Sequence, residues 1–111
     1  MNEFTARITY YTNDPKWGNK VAWSRQGHAV KGETVAAPSR LKFGTRLSIP
    51  QLKGKVGDVE FVVHDRGPAV ERGTASGGKL PVIDVYVSSH AEVNRLKVSM
   101  PRNMRVIVSD G

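Results

Sequence analysis

The chain has 111 residues, with 17 Lys and Arg against 10 Asp and Glu and no cysteine, so a formal charge of +7 rests on one small domain spanning residues 1–111. At roughly 100–200 residues per domain, this length excludes a separate lid or cofactor domain. The missing cysteines exclude disulfide staples, thiolate nucleophiles and cysteine-ligated zinc, and no apolar stretch is long enough for a membrane-spanning helix.

The N-terminal residues Met1, Asn2, Glu3 and Phe4 lack the basic-then-apolar pattern of a signal peptide. The excess of cations predicts attraction to a polyanion, for which nucleic acid and the anionic bacterial cell wall are the two classes to weigh.

Period-two patterns dominate and predict an all-β domain. Residues Ala6–Thr12 alternate Ile8 and Tyr10 against Arg7 and Thr9, and Thr45–Ile49 alternates Leu47 and Ile49 against Arg46 and Ser48 after a turn at Gly44. Val59–His64 is an apolar run ending in a polar pair; Val82–Val87 and Met104–Val108 are the last two strands. Five or six strands of this length imply a small barrel or sandwich, because an open sheet would leave long unpaired edges. One helix is predicted over Ser89–Leu96, where Ser89 and Glu92 form a capping-box pattern and Pro101 blocks continuation. Residues 13–32 and 71–81 are the long loops that carry Gly, Pro, Asn, Ser and several cations.

Chemistry is expected first at Asp84. Alternation in Val82–Val87 sends Ile83, Val85 and Val87 to the core and leaves Asp84 on the outer face between Val82 and Tyr86. A carboxylate is disfavoured in the middle of a β-branched strand, and partial burial there raises its pKa, which makes it a candidate proton donor. The second candidate is Asp65, at a strand end feeding the turn Asp65-Arg66-Gly67-Pro68 and read as lying on a strand neighbouring that of Asp84. Two carboxylates in one cleft are the minimal equipment for glycosidic cleavage; a turn brace of Asp65 with Arg66 is the alternative reading. Trp17 and Trp23 lie among polar residues where their rings can stack on sugars, whereas Tyr10 is equally explained by core packing. His28, His64 and His90 form no ligand pair such as His-x-x-x-His, so no metal or other cofactor is expected, and His64 is read as a neighbour of Asp65.

The ordered set Tyr10-Tyr11-Thr12, Val35-Ala36-Ala37-Pro38, Leu41 through Ile49 with its Phe43-Gly44-Thr45 turn, His64-Asp65-Arg66-Gly67-Pro68-Ala69-Val70 and Ile83-Asp84-Val85-Tyr86 resembles the double-psi β-barrel group. Within it, the chain is similar to the 3D domain of MltA-type lytic transglycosylases and to RlpA-like proteins, over nearly all of Ala6–Val108. The resemblance implies a small six-stranded double-psi β-barrel with one or two short helices and cleavage of the β-1,4 bond between N-acetylmuramic acid and N-acetylglucosamine in peptidoglycan. It implies Asp84 as catalytic acid and Asp65 as supporting carboxylate. Tyr11, Thr12, Trp17, Trp23, His64, Arg66 and Tyr86 are the residues expected to contact substrate.

The chain departs from the 3D pattern in two places. Ser88, Ser89 and His90 stand where a third aspartate would follow the strand, and the turn has the RlpA form, which fits an intermediate type such as a virus-encoded lysin. The expected partner is the glycan strand of peptidoglycan, with no nucleic acid and no membrane insertion, and the expected form is a monomer acting at the bacterial cell wall, whether periplasmic, extracellular or virion-associated. A hydrolytic muramidase and a non-catalytic, expansin-like wall-binding module on the same fold are the alternatives.

Overall fold

The computed structural model describes residues 2–12, 23–24, 27–28, 34–56, 60–87 and 89–109. Eight strands are described: β1 (Asn2–Tyr11), β2 (Trp23–Ser24), β3 (Gly27–His28), β4 (Thr34–Ala36), β5 (Arg46–Ser48), β6 (Phe61–Asp65), β7 (Val82–Tyr86) and β8 (Asn103–Val108). Two helices accompany them, α1 (Pro68–Arg72) and α2 (His90–Ser99). Six strands form one sheet that closes on itself in the order β1-β7-β4-β6-β5-β8, while β2 and β3 form a separate two-stranded ladder.

Closure follows from the length of β1. Its first half, Asn2–Arg7, runs antiparallel to β8, and its second half, Arg7–Tyr11, runs parallel to β7, so one strand serves two neighbours. A closed sheet leaves no edge to recruit another chain. The pairings repeat about an approximate two-fold: β4 is parallel to β6, whose other neighbour β5 is antiparallel, and β7 is parallel to β1, whose other neighbour β8 is antiparallel. The halves join through the antiparallel pairs β4–β7 and β5–β8.

The interior is filled by apolar residues from six strands and a helix, and for Ile8, Leu47, Ile83 and Val85 this is the face the alternation assigns. Ile8, Leu47, Val63, Ile83, Val85 and Val106 are all buried there, and α2 adds Val93 and Leu96. Tyr10 packs against this core, as its shared face with Ile8 implies. The helix starts where the capping pattern puts it, with the Ser89 hydroxyl accepting the Glu92 backbone N–H at 3.2 Å, but runs three residues further than Leu96, to Ser99.

Three features depart from the sequence expectation. Strand β4 was not predicted, because Thr34–Ala36 is buried on both faces and shows no alternation to read. Strand β6 begins at Phe61 rather than Val59, which lies outside the described residues, and reaches Asp65. Helix α1 forms within what reads as a turn: Pro68 occupies a first-turn position where its missing N–H costs nothing. The helix stops at Gly73, in the left-handed region at φ 66°, which donates its N–H to Val70 O.

Helix α1 matters because its Val70 covers Ala36 and Val82 on the outer face of the sheet, with Tyr11 packed alongside. This second small cluster buries the face that alternation alone assigns to solvent. A Cβ at Gly73 would lie 3.2 Å from Leu80 O, on a backbone that L residues rarely adopt. We expect Gly73→Ala to lower stability by about 1–2 kcal/mol, measurable as a shift in the urea midpoint with unchanged m-value.

Candidate active site

The site lies on the outer face of the sheet where β1, β7, β4 and β6 lie side by side. Registration sets it: Thr9 of β1 pairs with Asp84 of β7, Asp84 pairs with Ala36 of β4, and Ala36 pairs with Asp65 of β6. The expectation that the two aspartates sit on neighbouring strands is therefore corrected. Strand β4 runs between them, because parallel pairing of β4 with β6 demands a crossover and leaves β7 to pair with the other side of β4. Two strand spacings separate the aspartate backbones by roughly 10 Å.

Asp65 reaches this face only through a register shift. Thr34 pairs with Val62 and Val35 with Val63, but Ala36 pairs with Asp65, skipping His64. Strict alternation would turn Asp65 inward with Phe61 and Val63. The extra residue reverses its direction, which is the usual effect of a bulge. Once there, Asp65 accepts hydrogen bonds from Tyr11 Oη at 3.2 Å and from the Arg66 backbone N–H at 2.8 Å.

Asp84 stands in drier surroundings. Val82 and Tyr86 flank it in its own strand, both buried, and Thr9 Oγ1 donates to its Oδ1 at 2.8 Å. Burial pushes the Asp84 carboxyl up to about 6; the Thr9 hydrogen bond opposes this, the charge of Asp65 adds to it and Lys97 works against it. The upward direction is what the sequence implied from a carboxylate placed mid-strand. Thr9 engages Oδ1 and no hydrogen bond from the described residues reaches Oδ2, which leaves that oxygen to carry the proton.

Tyr11 and Tyr86 form the wall between the aspartates and the strand ends. Their rings meet edge to face with centroids 5.4 Å apart, and Val87 donates its backbone N–H to Tyr11 O at 2.8 Å. Burial, and then the Asp65 charge and hydrogen bond, raise the Tyr11 phenol; burial alone raises that of Tyr86. Tyr11 is thus a donor to Asp65 and not a base.

Several expected substrate contacts are placed differently. Arg66 directs its guanidinium to the carbonyls of Ala37 at 3.1 Å and Leu41 at 2.6 Å, and stacks on the Phe43 ring at 4.2 Å. It therefore braces the segment between β4 and β5 and is not free to grip an anion. Thr12 is buried, 4% exposed, and Tyr86 is 7% exposed, so neither offers a broad surface to a ligand. His64 is half-buried at the bulge. Trp17 lies outside the described residues; Trp23 is described by its backbone, which pairs with His28. Thr9, Ala36 and Lys97 belong to the site and were missed by sequence reasoning. The polar parity of Thr9 was visible, but the register that sets it against Asp84 was not.

Among the described residues, no three His, Asp or Glu side chains group closely enough to hold a metal ion. No helix among them is long and apolar enough to cross a membrane. The chain matches no protein-family model, and no curated protein is significantly similar to it.

A carboxyl whose pKa is raised by folding favours the native state fully below its unfolded value near 4, and this contribution is lost as pH rises through about 6. Asp84→Asn removes the dependence while keeping an acceptor for Thr9. At pH 7.5 the variant should therefore gain roughly 1–3 kcal/mol over wild type relative to their difference at pH 3.5, as read from denaturant unfolding at the two pH values.

Proposed function

We propose that this protein cleaves the glycan strands of peptidoglycan at the β-1,4 bond between N-acetylmuramic acid and N-acetylglucosamine, as a lytic transglycosylase with Asp84 as its acid and base. The observation that carries the reading is the half-buried Asp84 carboxyl, protonated in part near neutrality and facing Asp65 across the single methyl of Ala36. The ordered motifs that resemble 3D and RlpA-like domains supply the substrate class. The ring of six strands with two parallel pairs about an approximate two-fold supports a double-psi β-barrel as its type. The charge of +7 suits an anionic wall polymer.

The chemistry balances without water. Asp84 Oδ2 gives its proton to the glycosidic oxygen as the bond from the muramic acid C1 breaks, releasing the N-acetylglucosamine 4-hydroxyl. Positive charge that develops at C1 is stabilised by the Asp65 carboxylate or by the substrate's own acetamido oxygen. Asp84, now ionised, takes the proton from the 6-hydroxyl of the same sugar while that oxygen bonds to C1. The product is a 1,6-anhydro sugar, and Asp84 ends protonated as it began. A hydrolase on the same site would place water where the 6-hydroxyl acts.

Purified sacculi incubated with the protein should release anhydro-muropeptides, identified by mass. Reducing ends would instead indicate a muramidase, and binding without release a wall-binding module. Asp84→Asn should lower release by at least about 1,000-fold, and a variant that kept full activity would remove Asp84 from its role. Because the acid must be protonated, activity should fall as pH rises through about 6. Thr9→Val removes a hydrogen bond that favours the ionised form and should move this limb to higher pH. Asp65→Asn removes a repelling charge and should move it lower.

A further inference from the structure

A cavity of about 270 Å³ lies between the second half of β1 and the C-terminal end of α2, and it shares Thr9 and Lys97 with the site of Asp84. Three cations line it, Arg7 from β1, Lys97 from α2 and Arg102 from the segment that follows. No carboxylate is among the lining residues, and among the described residues none of the three cations is in an ion pair. Two of the lining residues, Arg7 and Tyr10, also carry buried donors. Arg7 Nε and Tyr10 Oη are both buried and have no hydrogen-bond partner among the described residues. Burial pushes the Tyr10 phenol up to about 12, so it remains a proton donor.

A buried donor without a partner is costly, and these two are set behind a cavity that concentrates positive charge. Apart from Thr9 the rest of the wall is apolar, with Ile8 and Leu96 from the core and Met100 and Pro101 beside them. Three cations beside an aliphatic lining describe a site for a carboxylate on a short aliphatic body. The volume is near the lower limit for small-ligand pockets, with room for one or two small residues of a peptide. Thr9, whose hydroxyl holds Asp84, also lines the cavity, so a ligand there adjoins the proposed acid.

We infer that this cavity binds the carboxylate terminus of the peptide stem carried by the glycan, with Arg7, Lys97 and Arg102 meeting the carboxylate, and Ile8, Leu96 and Met100 receiving an alanine-sized methyl. The assignment of the ligand rests on the peptidoglycan reading; the cavity chemistry does not. Once occupied, it would hold a peptide-bearing muramic acid in register with Asp84, which makes the stem a determinant of substrate choice.

The test titrates N-acetyl-D-alanyl-D-alanine into the full chain by calorimetry, with the C-terminal amide of the same dipeptide and inorganic phosphate as comparison ligands. The acid should bind at least about tenfold more tightly than the amide or phosphate, and Arg102→Gln and Lys97→Gln, both on exposed side chains, should each weaken it about fivefold or more. On glycan, the ratio of kcat/KM for peptide-bearing over peptide-free strands should fall in the same variants. Equal binding of acid and amide, or of acid and phosphate, overturns the assignment, as does product release by wild type with no dipeptide binding. Dipeptide binding without any glycan cleavage would support the cavity assignment and remove the glycosidase reading alone.

Discussion

The pairing of β4 with both β6 and β7 holds the fold and the site together. Thr34–Ala36 is three residues long, yet it closes the ring between the two strands that carry the aspartates, and Ala36 is in register with both of them. A longer side chain at Ala36 would fill the space that separates the carboxyl groups and would collide with Val70 and Val82, which pack on the same methyl. The same strand forces the bulge that turns Asp65 outward. Closure, separation of the acids and their common direction thus depend on one short set of backbone hydrogen bonds.

Around that frame, two similar residues acquire different surroundings. Asp65 sits at a strand end and receives a phenol and a backbone N–H, whereas Asp84 sits mid-strand between buried side chains and receives one hydroxyl. Burial dominates at Asp84, and the hydrogen bond from Thr9 with the charge of Lys97 moderates it. A carboxyl that burial holds in its neutral form to higher pH is the physical requirement for acid chemistry near neutral pH. Arg66, adjacent in sequence to Asp65, is held away by two carbonyls and an aromatic face, and so does not neutralise the pair with its side chain.

Much of this could be read before folding. Alternation identified the inward residues of β1, β5 and β7, because a strand with one face in a core must repeat every two residues. The Ser89 cap marked the start of α2 for an equally local reason. Strand β4 and helix α1 were not legible: one has no alternating pattern because both faces are buried, and the other is a single turn enclosed in a Gly-Pro segment. The outer cluster of Ala36, Val70 and Val82 was missed with them, and so was the reason that Asp84 is desolvated.

The amino-acid sequence by itself determined the strand-rich class, the excess of positive charge, the two candidate aspartates and the misfit of Asp84 within its apolar strand. These are properties of composition and of neighbours along the chain. Only the tertiary structure decided that β4 stands between the aspartates, that a skipped residue turns Asp65 to the outer face, that Thr9 holds Asp84, and that Arg66 braces a loop. Each of these depends on which strands pair and in which register. Register is a property of the closed ring as a whole, since shifting one strand by one residue reverses every side chain on it and would have to be matched all the way round.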